Sequence, residues 1–225
     1  MTRCRPLLLV SLLCLAPAAV AAPLLHEIRT GQVAADVDEY FELSGDPGES
    51  LSGYWYLVIG DGEQGSGVLE VALNLSGHAI GADGFFSVGE DASVPCGEID
   101  AVLPEALNFE DSDNVTHLLV NGFIGALGAD LDTDDDGVLD AEPWLQTVDC
   151  LALIETPLSG DEVYCDTQLG PDGPFVPVHV LRCTTGWGFG DIVVCEYDTP
   201  GGANTTACQV PNTHLSWGAL KSGYR

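Results

Sequence analysis

Apolar residues recur along the chain mostly with a period of two. In residues 39–43 and 69–75 apolar and polar side chains alternate, which predicts half-buried β-strands. Aromatic or β-branched runs predict further strands over 54–59, 115–120, 148–154 and 176–181. Most runs end at Gly, Pro, Asp or Asn, and no long stretch has a capped 3.6-residue period. The pattern indicates an all-β fold, either a sandwich or a barrel, in one domain over residues 24–208 followed by a tail over 209–225.

The N-terminus has the order of parts found in a secretory signal peptide. Arg3 and Arg5 precede an apolar run over residues 7–15, and Ala19 and Ala21 form a small-x-small cleavage motif. The apolar run is too short to span a bilayer, and no later segment is both long enough and free of charge. We therefore expect residues 1–21 to be removed and the protein to be secreted, periplasmic or on the cell surface, without a membrane span.

Six cysteines follow the predicted signal: Cys96, Cys150, Cys165, Cys183, Cys195 and Cys208. An even number in an exported chain indicates disulfide bonds, and their concentration after residue 165 predicts a disulfide-rich C-terminal part. Short loops close at the lowest entropic cost, although other connectivities remain open. On that basis the expected pairs are Cys165–Cys183, Cys195–Cys208 and Cys96–Cys150. Zinc is disfavoured because there is neither a closely spaced cysteine pair nor a histidine cluster.

Charge narrows the choice of partners. The 225 residues include 35 Asp+Glu and 6 Lys+Arg, which gives a net charge of −29. Binding to a phosphate backbone needs clustered positive charge, so a nucleic-acid partner is not favoured.

An acidic insertion over residues 128–143 contains the D-x-D-x-D-G half of a calcium-binding loop. The candidate ligands are the carboxylates of Asp132, Asp134, Asp136 and Asp140, the carbonyl of Val138, and Glu142 in place of the usual bidentate residue. Pro143 occupies the position of that bidentate residue, and Gly137 is expected to make the sharp turn. Many oxygen ligands in a flexible loop favour Ca²⁺ over Mg²⁺. The alternative is a solvated acidic loop.

We find no catalytic or nucleotide-binding set in the sequence. A G-x-G-x-x-G motif at residues 60–65 precedes a strand-like segment instead of a helix, which predicts a glycine-rich hairpin. Glu39 and Glu42 would lie on opposite faces of a strand, so they are not expected to act as an acid/base pair. The histidines, His26, His78, His117, His179 and His214, are scattered along the chain.

Five short segments follow one another in a recognisable order. They are LHEI at residues 25–28, EYFEL at 39–43, YLVIG at 56–60, ADGFFSVG at 82–89 and DTPGGAN at 198–204. In this order they resemble the bacterial secreted form of the lamin tail domain, over nearly the whole chain after the signal. The resemblance implies an immunoglobulin-like β-sandwich that acts as a binding or anchoring module, often beside secreted nucleases and other hydrolases. The acidic insertion and the cysteines depart from the compact family pattern.

Two functions from different classes follow. The first is an exported, non-catalytic binding module, stabilised by Ca²⁺ and disulfides, that presents sandwich loops to an extracellular protein or polymer. The second is a small secreted calcium-dependent hydrolase, a nuclease or phosphoesterase, or an accessory subunit of one. Arg29 and Arg182 are the only Lys or Arg residues between the signal and the tail, and a phosphodiesterase needs cations to stabilise transition-state charge. The sequence therefore favours the binding module.

Overall fold

The structure is a computed structural model that describes residues 21–31, 38–62, 65–91, 97–104, 106, 107, 109, 112–190, 199–205 and 208. Residues 1–20 of the predicted signal, the tail over 209–225, Cys96 and Cys195 lie outside these described residues. Within the described ranges there is no α-helix, and hence none with the length and apolar character needed to cross a membrane.

The described residues form eleven β-strands. These are β1 (Leu24–Arg29), β2 (Tyr40–Ser44), β3 (Tyr54–Gly62), β4 (Gly65–Asn74), β5 (Phe85–Gly89), β6 (Ala101–Val102), β7 (Val115–Asn121), β8 (Gln146–Leu153), β9 (Gln168–Leu169), β10 (His179–Cys183) and β11 (Gly186–Phe189). A first sheet has the order β11-β10-β1-β2-β5-β6, and a second has the order β4-β3-β7-β8-β9. The pairs β5–β6 and β8–β9 are parallel, and the others are antiparallel.

The two sheets enclose the main hydrophobic core, and the fold is all-β and β-sandwich-like. Inward side chains of β1, β2 and β5 meet those of β3, β7 and β8 in one buried cluster. Phe41 of the first sheet stacks on Tyr56 of the second, with ring centroids 3.7 Å apart and planes 4° from parallel. Such aromatic contacts bury much apolar area, so they join the sheets as well as fill the space between them.

Strand β3 is buried on both of its faces. Tyr56 and Val58 lie in the core between the sheets, while Leu57 and Ile59 belong to a separate buried cluster on the other side of the second sheet. A strand that reads as a continuous apolar run is typical of burial on both faces. The second sheet is therefore covered on its outer face by another part of the chain.

The alternating segments and the aromatic or β-branched runs together predict most of the long strands correctly. The predicted strands over 39–43, 54–59, 69–75, 115–120 and 148–154 correspond to β2, β3, β4, β7 and β8. The glycine-rich hairpin is confirmed, because Gly62 and Gly65 pair as β3 turns into β4. In the run over 176–181 the strand begins only at His179, although Val176 and Val178 are buried in the core.

The expected disulfide pairing is wrong for the four cysteines that the structure describes. Cys150 is bonded to Cys165, and Cys183 is bonded to Cys208. Loop closure favours short separations, but the strands decide which sulfur atoms meet. Cys150 on β8 lies beside the segment that leads into β9. Cys183 ends β10, where Asn204 of the segment 199–205 contacts Arg182. Disulfide-bonded cysteines are compatible with an extracellular or periplasmic location.

Candidate metal centre

A long excursion between β7 and β8, residues 122–145, covers the outer face of the second sheet. Its backbone first extends the sheet edge beside β4: Leu69 donates to the Ala129 carbonyl at 2.9 Å, Gly128 donates to the Leu69 carbonyl at 2.7 Å, and Leu131 donates to the Gly67 carbonyl at 2.9 Å. The acidic insertion is therefore attached to the sheet by main-chain hydrogen bonds at the point where its carboxylates begin.

The excursion also supplies a second hydrophobic core. Phe123, Leu131 and Trp144 from the excursion are buried against outward side chains of β3, β4 and β7. Those strand side chains are Leu57, Ile59, Leu69, Leu118 and Val120. Buried apolar side chains of the same excursion therefore attach the acidic loop to the second sheet.

Asp132 is buried at the base of the acidic loop. Its carboxylate accepts hydrogen bonds from the Gly137 amide at 2.9 Å, the Asp136 amide at 3.3 Å and the Tyr164 hydroxyl at 2.8 Å. Gly67 allows this approach, since a Cβ there would lie 2.7 Å from the Cβ of Asp132. Gly137 has the left-handed φ of 81° that the predicted sharp turn requires.

Asp132, Asp134 and Asp136 come together at one point. One carboxylate oxygen of each lies within 4.8 Å of those of the other two, with Asp132 buried and the other two exposed. The Asp136 carboxylate is the main reason that the pKa of Asp134 is raised. Burial, and secondarily the Asp132 carboxylate, raise the pKa of the Tyr164 hydroxyl, which keeps it a hydrogen-bond donor. The cluster holds like charges close together with no cation of the described chain between them.

The other predicted ligands are not part of this three-carboxylate group. Asp140 accepts from the amide and hydroxyl of Thr133, and these hydrogen bonds lower its pKa. The Val138 amide donates to Asp136 at 2.9 Å while its side chain is exposed. Glu142 lies on the wall of a neighbouring cavity. Ligation by Val138, Asp140 and Glu142 therefore stays a prediction.

The structure also forms a second acidic group, which the sequence pattern does not reveal. Asp61, Asp113 and Asp161 lie within the same 4.8 Å limit, although they are separated by about fifty residues each along the chain. Burial, with the nearby carboxylates of Asp61 and Asp161, raises the pKa of Asp113 to about 7. No local motif marks these residues, because only the turns at one end of the second sheet bring them together.

A buried polar network lies on the outer face of the first sheet. The Glu27 carboxylate accepts from the Tyr40 hydroxyl at 2.5 Å, from His179 at 2.9 Å and from the Thr199 amide and hydroxyl at 3.0 and 2.8 Å. Burial alone would raise the pKa of Glu27, but these donors outweigh it and the pKa is lowered. Thr199 belongs to the segment 199–205, so Glu27 joins that segment to the sheet.

Glu42 forms the second half of this network. It pairs with His26 Nδ1 at 2.7 Å and accepts from the Gly201 amide at 2.5 Å. Burial and the neighbouring Glu27 carboxylate raise the pKa of Glu42 to about 9, so it is a neutral acid at pH 7. Asn204 completes the contact by donating to the His26 carbonyl at 3.1 Å. Glu39 faces the other way, as expected, and accepts from the Phe109 amide in the core.

The two sheets and the two disulfides of the described residues place the protein in the class of all-β, disulfide-bonded proteins. Comparison with models of known protein families found no match, and no curated protein or solved structure matched the chain.

Proposed function

We propose that the chain is an exported, non-catalytic binding module whose β7–β8 excursion is held in place by Ca²⁺. The supporting observation is the convergence of Asp132, Asp134 and Asp136 on a buried base. A hard cation suits a site made only of oxygen ligands, and Ca²⁺ tolerates the irregular set that a loop provides. Ca²⁺ would offset the repulsion that raises the pKa of Asp134.

Binding would stabilise more than the loop itself. Asp132 directly follows Leu131, which is buried in the second core, and Tyr164 connects Asp132 to the segment before β9. A ligand that binds only the folded form stabilises that form by mass action. Calcium binding and packing of the excursion on the second sheet are therefore expected to be coupled.

Three of the five segments behind the lamin tail resemblance meet in the polar network of the first sheet. Glu27 comes from the first quoted segment, Glu42 from the second, and Thr199, Gly201 and Asn204 from the last. This meeting supports an immunoglobulin-like sandwich of the lamin tail kind, and with it a role in binding or anchoring. His26 bonds to Glu42, and His179 bonds to Glu27. Both histidines therefore belong to the hydrogen-bond network that attaches the segment 199–205 to the sheet.

Isothermal titration calorimetry and thermal unfolding with Ca²⁺ test the metal assignment. We expect a dissociation constant on the order of 10⁻⁴ to 10⁻³ M, because Pro143 stands where a bidentate carboxylate is usual. At ten times that concentration Ca²⁺ should add about 1.4 kcal/mol of stability, which raises the Tm by roughly 3–6 °C.

Substitutions in the acidic loop test whether Ca²⁺ binds at this site. Asp134→Asn with Asp136→Asn should abolish both signals, and these exposed positions leave the buried Asp132 intact. Asp46→Asn with Glu98→Gln, which removes the same charge at exposed positions, is the matched control and should change neither signal. Absence of binding heat and of a Tm shift at millimolar Ca²⁺ would reject the site. Turnover of DNA, a phosphate ester or a polysaccharide that is lost in Asp134→Asn would replace the binding module by a hydrolase.

A further inference from the structure

A cavity of about 460 Å³ lies between the acidic loop and the segment that leads into β9. Its apolar wall includes Val138, Leu139 and Val163 together with the Cys150–Cys165 disulfide. Val138 is 67% exposed although it is an aliphatic residue beside a cavity. The wall therefore offers uncovered apolar surface to a side chain that enters from outside.

Two carboxylates, those of Glu142 and Asp166, belong to the same cavity. Both residues are exposed, and within the described part of the chain neither makes an ion pair. The described arginines are already engaged, Arg29 with Asp38 at 2.7 Å and Arg182 with Asp149 at 2.5 Å. Among the described residues, neither arginine is left to pair with these two carboxylates.

The cavity also adjoins the β9 edge of the second sheet, on which no other described strand is paired. The Ala152 amide donates to the Thr167 carbonyl at 2.9 Å, and the Ile154 amide donates to the Leu169 carbonyl at 2.9 Å. Because successive backbone groups of a strand point in opposite directions, the N–H and C=O of Gln168 point away from β8. β9 is the last strand of its sheet, and Gln168 lines the cavity.

We propose that this cavity receives a lysine or arginine side chain from an extended segment of a partner protein, which pairs with the edge at Gln168. The aliphatic stem would pack on the apolar wall while the charged end reaches Glu142 and Asp166. An extended peptide that adds to a sheet edge gains main-chain hydrogen bonds, and the cavity then selects its side chain. This inference names a partner chemistry for the proposed binding module. It assigns Glu142 to the cavity and not to Ca²⁺, and it does not require the metal, because Glu142 lies outside the group of Asp132, Asp134 and Asp136.

Fluorescence anisotropy with a labelled nonapeptide tests the cavity. The probe has blocked ends and one central lysine between two valines, and a second probe carries norleucine in place of the lysine. We expect the lysine probe to bind the wild-type protein about fivefold more tightly than the norleucine probe, as two partly exposed ion pairs allow. The double variant Glu142→Gln with Asp166→Asn should lose this preference.

A matched variant separates a specific cavity from attraction by the overall negative charge. Glu98→Gln with Asp46→Asn removes the same charge at exposed positions outside the cavity and should keep the preference for lysine. Equal binding of both probes, or equal loss in both double variants, would overturn the proposal. Ca²⁺ titration of the same samples keeps the two proposals apart. If Ca²⁺ raises the Tm but the protein shows no preference for the lysine probe, only the proposal for the cavity is rejected. If the protein prefers the lysine probe but Ca²⁺ leaves the Tm unchanged, only the calcium proposal is rejected.

Discussion

Replacing Leu131 by alanine tests whether the excursion over 122–145 is part of the cooperative fold. Leu131 is 3% exposed and is buried with Trp144 and Phe123 against the outer face of the second sheet. Deleting a buried leucine side chain usually costs about 2–5 kcal/mol, which includes the cavity that remains. The main chain of Leu131 would keep its hydrogen bonds to Gly67 and Asp140, so we expect the middle of this range, about 3 kcal/mol.

Leu145→Ala is the matched control. Leu145 lies in the same excursion, but its side chain is 85% exposed. Exposed substitutions usually change stability by less than about 0.5 kcal/mol. In a domain of this size about 3 kcal/mol corresponds to a Tm lower by roughly 6–12 °C, whereas the control should stay within about 2 °C of wild type.

Differential scanning calorimetry in excess chelator measures this difference without a metal contribution. Hydrogen exchange of residues 122–145 should show faster exchange in Leu131→Ala, because packing protects their amides. If Leu131→Ala melts within about 1 °C of Leu145→Ala, the excursion is not part of the cooperative unit, and our account of the second core would be wrong.

Further predictions concern the buried carboxyl groups and the cysteines. Glu42→Gln should be tolerated at pH 7, because a neutral acid is replaced by a neutral amide. Glu27→Gln should lower the free energy of unfolding by about 2–3 kcal/mol, because charge-assisted hydrogen bonds are lost. Urea unfolding measures both effects, with Glu98→Gln as the control. Asp113 binds a proton up to about pH 7 when folded but only to about pH 4 when unfolded, so this group makes stability fall as the pH rises between these values. Asp113→Asn should therefore flatten that fall in Tm measurements from pH 5 to 8, and an unchanged slope would contradict the assignment. Thiol titration of the mature protein, without residues 1–21, under denaturing and non-reducing conditions should find no free thiol, which requires Cys96 and Cys195 to be oxidised as well. Two free thiols would refute this.

The local pattern of side chains is enough to predict much of the sheet structure. Alternation along 39–43 and 69–75 follows from the two-residue repeat of a strand, so it is visible without any tertiary information. The glycine-rich hairpin at 60–65 is local in the same sense. The spacing of Asp132, Asp134 and Asp136 is also local, because one turn of backbone brings these side chains together. β6 and β9 contain two residues each, too few for a period to be recognised, so the pattern does not predict them.

Tertiary structure alone decides which distant residues meet. The disulfide prediction from loop length failed because sheet order places Cys150 beside Cys165 and Cys183 beside Cys208. The grouping of Asp61, Asp113 and Asp161, and the meeting of Glu27 with Thr199, each depend on turns or sheet faces that join separate segments. The acidic excursion gives the clearest physical reason. Its carboxylates are apparent in the sequence. The burial of Leu131 and Trp144 beneath them is not, because these side chains pack against the outer face of the second sheet, which forms only when distant strands pair.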